Sequence, residues 1–75
     1  MILLLGGTTE SLAVADELTK HKVPFVLSVI SDYGAELARR HAKNIVETTF
    51  TDESLLSFCH DNQISFILDA THPFA

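Results

Sequence analysis

Apolar and polar positions along the chain change period several times, and each change marks an element. Ile2 to Leu5 is an all-apolar run, as expected of a strand buried on both faces of a parallel sheet. Gly6-Gly7 ends it, and Thr8, Thr9 and Glu10 supply helix-start residues for a helix over Ser11 to Lys20. In that helix Val14, Ala15 and Leu18 share one face, with Asp16, Glu17 and Lys20 outward. Val23 to Ile30 predicts a second strand, with Pro24 near its start, where a missing amide donor costs least. Ser31 to Gly34 predicts a turn, and Ala35 to Ala42 a short helix with Leu37 and Ala38 inward and Arg39, Arg40, His41 and Lys43 as a solvated end. Asn44 to Thr49 alternates weakly, as an edge strand does. Thr51 or Asp52 starts a third helix running to Asn62, with Leu55, Leu56 and Cys59 buried and His60 in solvent. Ile64 to Asp69 is the fourth strand, followed by Ala70-Thr71-His72-Pro73-Phe74-Ala75.

This β-α-β-α-β-α-β pattern predicts right-handed crossovers and a parallel sheet. The expected fold is α/β: a Rossmann-like doubly wound sheet of strand order 3-2-1-4, present as its N-terminal half. In that order the first and fourth strands are neighbours at the switch point where such folds bind ligands. Gly6 to Glu10 and Asp69 to Phe74, distant in sequence, should therefore line one crevice. The fourth strand would be an exposed apolar edge, which native proteins avoid. The expectation is that residues 1–75 are the N-terminal part of a dinucleotide-binding domain in a longer protein.

Composition narrows the partners. A net charge of −5 with five Lys+Arg argues against a nucleic-acid or anionic-membrane surface. The one cysteine, Cys59, rules out an internal disulfide and fits a reducing compartment. No stretch reads as a signal peptide or spanning helix, so a cytoplasmic protein is expected.

The chemistry concentrates at the strand ends. A strand, a glycine turn and a helix start aim amides and the helix dipole at one spot, which suits the phosphates of a nucleotide cofactor. Counted as G-x-G-x-x-G from Gly6, the second glycine position holds Thr8 and the third Ser11. The bland alternative is a tight turn that needs glycine only for its backbone. The Thr8 and Thr9 hydroxyls either cap the helix or reach a phosphate. Glu10 favours the helix start but repels a pyrophosphate, so it should point aside. After the second strand, Ser28, Ser31 and Asp32 are candidates for the adenosine ribose. No Arg or Lys lies between Phe25 and Glu36, which tilts the choice toward NADH over NADPH. Asp32 serves equally well as a turn or cap residue. His72 precedes Pro73 and is held extended at the crevice, where imidazole can move a proton near neutral pH. No Cys, His and carboxylate cluster has metal-ligand spacing, and no G-x-S-x-G elbow is present.

Taken together, Ile2-Leu-Leu-Leu-Gly-Gly-Thr-Thr-Glu10 and Asp69-Ala-Thr-His-Pro-Phe-Ala75 resemble the precorrin-6A reductase family across the whole chain. Ser31-Asp-Tyr-Gly34 looks like the cobalt-precorrin-6A reductases, since the other branch tends to carry Gly-Arg at this turn. The resemblance implies nicotinamide-dependent reduction of one double bond of a corrin-ring precursor in cobalamin biosynthesis, by a two-domain enzyme. It implies that Gly6, Gly7, Thr8 and Glu10 belong to the cofactor site, and that Thr71, His72 and Pro73 lie near the nicotinamide or macrocycle. His72 is then a candidate proton donor, with Asp69 in the same crevice. The tetrapyrrole substrate is a polycarboxylate, for which Arg39 and Arg40 are the local basic candidates. Rival expectations are a nucleotide-binding module without reductase chemistry, or another NAD(P)-dependent enzyme such as an epimerase.

Overall fold

A computed structural model describes residues 1–71. Seven elements alternate: β1 (Ile2–Leu5), α1 (Thr9–Lys20), β2 (Phe25–Val29), α2 (Asp32–Ala38), β3 (Ile45–Glu47), α3 (Asp52–Asp61) and β4 (Phe66–Asp69). The four strands form one sheet in the order β3-β2-β1-β4, all pairs parallel. This is the Rossmann-like arrangement expected from the alternation. In register, Val46, Ser28, Leu5 and Asp69 form one row across the sheet at its carboxyl end. The loops that leave that row build the site.

The core lies on one face of the sheet. Leu4, Phe25, Leu27 and Val29 pack there with Ala15 of α1 and with Ala35 and Ala38 of α2. Leu12, Val14, Leu18 and Ile45 close its margins. Alanine at the contacts lets both helices approach the sheet closely, so the volume is filled by strand side chains. The other face carries α3, whose Phe58 lines a groove with Val26 and Val46. Phe58 also meets Phe50 edge-on, with ring centres 5.3 Å apart. No residue of α3 is fully buried.

Each helix starts on a hydroxyl cap. Thr8, Ser31 and Thr51 accept from the amides of Ser11, Gly34 and Ser54, respectively. In α1 and α3 the serine three residues on reaches back to the cap amide, a capping box. At the other end α1 and α3 close alike. Val23 N–H donates to Leu18 C=O and Ile64 N–H to Cys59 C=O, with Lys22 and Gln63 left-handed between them (φ 57° and 54°).

Several boundaries differ from those expected, each for a local reason. The first helix begins at Thr9, not Ser11, because Thr8 is its cap. Ser31 to Gly34 is not a turn: the Ser31 cap starts α2 at Asp32, and Gly34 lies inside it. The same helix ends at Ala38, four residues before the expected Ala42, where Arg40 and His41 bond back only three residues. His41 is consequently half-buried, with Nδ1 2.6 Å from Asp16 and its carbonyl accepting from Thr19 Oγ1 at 3.2 Å. Strand β2 loses Val23 and Pro24 because the Val23 amide closes α1 and proline has none. On α3, Leu56 is 72% exposed instead of buried, and Phe58 faces inward with Leu55 and Cys59. Strand β4 exposes all four residues, the apolar edge expected of it.

Candidate functional site

At the carboxyl end of β1 the chain turns through Gly6 and Gly7 into α1. The two glycines do different jobs. Gly6 is buried, and its amide donates to Ser28 C=O at 2.7 Å. A Cβ on it would stand 2.6 Å from Leu27 Cδ1 and 3.0 Å from Ser11 Oγ, so glycine here serves close packing of the turn on β2. Gly7 adopts φ 106°, a conformation that costs glycine little, and nothing lies within 4 Å of where its Cβ would be. That open space is where a ligand can approach the backbone.

Ser11 occupies the third position of the glycine motif and is fully buried. Its hydroxyl donates to Thr8 C=O at 2.6 Å. A small residue is required there because the helix passes close to the strand, and serine meets that need while satisfying its own polar group. The sequence shows Ser11 at this position but not its burial or its bond to Thr8. The Thr8-x-x-Ser11 spacing, repeated at Thr51-x-x-Ser54, was the available signal.

The Thr8 hydroxyl donates to Ala70 C=O at 2.6 Å and accepts from Ser11 N–H at 3.1 Å. It thus bonds across the crevice to the exit of β4, while Ala70 N–H donates to Leu5 C=O at 2.9 Å. One residue further back, Asp69 Oδ1 accepts from the Thr71 amide at 3.0 Å and from the Thr71 hydroxyl at 2.6 Å. Of the two distant segments expected to line one crevice, Thr8 and Ala70 are joined by a hydrogen bond. His72 and Pro73 lie outside the described residues.

A cavity of about 370 Å³ opens beside the turn, and Gly7, Thr8, Thr9 and Ser31 reach it together. Ile30, Tyr33 and Leu37 form its apolar wall; Leu37, expected inward on the helix, is 39% exposed and faces this cavity instead of the core. Among the described residues no charged side chain lines it. Glu10 and Asp32, both candidate cofactor contacts, are absent from the lining, as are Gly6, Asp69 and Thr71. Asp32 instead faces Glu47 at the end of β3. A hydrogen bond that the protonated Glu47 carboxyl donates to Asp32 holds it above the ordinary glutamate range, and the nearby Arg39 charge opposes the shift.

These residues suit the phosphate and nucleoside portion of a dinucleotide. The first intrahelical bond of α1 runs from Leu12 N–H to Thr8 C=O, so the first-turn amides of Thr9 and Glu10 have no acceptor within the helix. They stand at the positive end of the helix dipole, beside the open space at Gly7. Among the described residues no group of His, Cys, Asp and Glu could hold a metal ion.

The family model for precorrin-6x reductase CbiJ/CobK matches residues 1–75, the whole chain. The chain belongs to that family. It is 32% identical over 75 residues to a cobalt-precorrin-6A reductase of Priestia megaterium, covering 100% of this chain and 29% of that protein. A cobalt-precorrin-6A reductase of Methanococcus maripaludis is 30% identical over 76 residues, covering 99% of this chain and 31% of its own length. A precorrin-6A reductase of Sinorhizobium sp is 36% identical over 81 residues, with 99% and 28% covered. The chain therefore spans about 30% of the length of these relatives. No solved structure matches it. Among the described residues, no helix is long and apolar enough to cross a membrane.

Proposed function

We propose that this member of the precorrin-6x reductase family binds a nicotinamide dinucleotide at the β1–α1 turn. We further propose that the protein to which it belongs reduces a double bond of precorrin-6A, or its cobalt complex, in cobalamin biosynthesis. The observation that carries this is the glycine turn with the cavity beside it. A glycine turn and helix start on β1 lie bonded to the exit of β4, next to an uncharged cavity, in a chain whose relatives are named as reductases of that macrocycle. The nicotinamide, when bound, supplies the hydride.

The residues of this chain bind and orient. The amides of Gly7, Thr9 and Glu10 would take the phosphates, with Gly6 setting the turn's depth against β2. Ser31 and the wall of Ile30, Tyr33 and Leu37 would take the adenosine side. Asp32, one position beyond the Ser31 cap, and Glu47 present carboxylates near the same strand ends. Two acidic groups there would repel the extra phosphate of NADPH, so NADH is the favoured cofactor. Hydride transfer requires alignment more than covalent help. His72, proposed from its place in the sequence, would donate the accompanying proton.

Full-length protein titrated calorimetrically with NADH and NADPH tests the cofactor assignment. It should bind NADH more tightly and oxidise it only when the macrocycle is present. Binding without oxidation would leave a nucleotide-binding module; no binding of either would remove the assignment altogether.

A further inference from the structure

Of the two roles expected for the Thr8 hydroxyl, helix cap or phosphate contact, it takes the cap, and its proton goes to a third partner. A phosphate ligand needs a free hydroxyl proton, and this one is spent. Thr8 Oγ1 has one proton, which lies on Ala70 C=O at 2.6 Å, and one of its lone pairs takes Ser11 N–H at 3.1 Å. Its own amide donates to Ser11 Oγ at 3.3 Å, and its carbonyl accepts from that hydroxyl at 2.6 Å. Ala70 is 3% exposed and Ser11 0%, while Thr8 itself is half-buried, so the bonds are partly shielded from water and their loss leaves buried partners unpaired.

We propose that Thr8 is a positioning residue: its hydroxyl locks the exit of β4 onto the glycine turn and so sets the distance between the two walls of the crevice. It rests on the cofactor site described above, but the tie is a property of the protein alone. Sheet pairing ends at Leu5 and Asp69. Past that row only the Ala70 N–H bond to Leu5 and the Thr8 hydroxyl bond to Ala70 link the two segments among the hydrogen bonds described. The first fixes Ala70 to the end of β1, the strand beside the one it has just left. The second fixes it to the first residue before α1, the part of the turn that a ligand would touch. A bond that joins two walls affects how well a donor on one is aligned with an acceptor on the other, and misplacement by about 1 Å costs about a hundredfold in rate. Cofactor affinity, carried by the amides of Gly7, Thr9 and Glu10, does not depend on it to the same extent.

The test compares Thr8→Val, Thr8→Ser and Thr8→Asp in the full-length protein. Without cofactor, Thr8→Val should speed amide exchange at Ala70 and Thr71 about three- to tenfold, leaving Leu3 and Leu4 unchanged. Thr8→Ser should exchange as the parent does. Thr8→Asp covers the case in which Thr8→Val does not fold, since a carboxylate still caps α1 but has no proton for Ala70; it should loosen the same two amides. Unchanged exchange at Ala70 and Thr71 in Thr8→Asp overturns the tie, whether or not any nucleotide binds. With NADH and macrocycle, Thr8→Val should lose about ten- to a hundredfold in kcat while its Kd for NADH stays within about threefold, and Thr8→Ser should recover kcat. The reverse pattern, weakened Kd with kcat kept, would make Thr8 a direct ligand and overturn the proposal. Parent protein that binds no NADH defeats the cofactor assignment instead, and the exchange result still decides the tie.

Discussion

Strands β1 and β4 have similar sequences, Ile-Leu-Leu-Leu and Phe-Ile-Leu-Asp, and lie side by side in register, yet their surroundings are opposite. Leu3 and Leu4 are 0% exposed, whereas Phe66, Ile67 and Leu68 are 68%, 45% and 39% exposed. β1 is flanked by β2 and β4 and covered by α1 on the core face; β4 has a partner along one edge, among the described residues. Apolar composition makes both segments strands, but burial depends on what packs against them. The same contrast separates the helices: α1 and α2 deliver buried alanines to the core, while α3 delivers no fully buried residue. The site straddles this divide, with its glycine turn on the well-packed side and Asp69 to Thr71 on the open one.

The contrast breaks first where the core is deepest. Leu27→Ala should cost about 2–5 kcal/mol, enough to abolish cooperative urea unfolding of a chain this small, because Leu27 is 0% exposed between α1 and α2. Phe66→Ala on β4 should cost no more than about 1 kcal/mol in the same experiment. Next in size, Gly6→Ala should cost about 1–3 kcal/mol, since the added methyl meets Leu27 Cδ1 and the Ser28 carbonyl at 2.6 and 3.1 Å.

On the open side the effects shrink. Thr51→Ala removes the cap of α3 and should cost about 1 kcal/mol, seen as fraying of that helix by amide exchange rather than as loss of the core. Gln63→Gly relieves a left-handed backbone at φ 54° and should gain about 1 kcal/mol. The smallest expected effect concerns Glu47, whose carboxyl is raised by Asp32. A raised acid is better protonated in the folded chain than in the unfolded one. Its stabilising contribution is therefore complete below the ordinary glutamate range and is lost as pH rises through the raised value. Glu47→Gln should flatten that decline in a pH series of thermal midpoints.

Strand order and the meeting of the two crevice segments were legible in the sequence because both follow from alternation and right-handed crossover. Element ends were less so. Ser31 looked like a turn residue because Gly34 follows closely, whereas its hydroxyl accepting from the Gly34 amide starts a helix. Leu56 matched a helical stripe, but the crossover presents Phe58 to the sheet, and hydrophobic spacing alone does not choose between adjacent stripes. Within the site, residue types were visible and their hydrogen bonds were not. By chemistry alone the Thr8 hydroxyl could cap the helix or bind phosphate, and its bond to the Ala70 carbonyl depends on where that carbonyl lies, which the sequence does not show.

The central claim is that the open face of Gly7 is where the cofactor's phosphates meet the backbone. Calorimetric titration of NADH into full-length Gly7→Ala, beside the parent protein, tests it most directly. A methyl there would occupy the empty space and strain a backbone at φ 106°. The account predicts that the parent binds NADH and that the variant, still folded, binds it at least about tenfold more weakly. Equal affinity in the two proteins would contradict it.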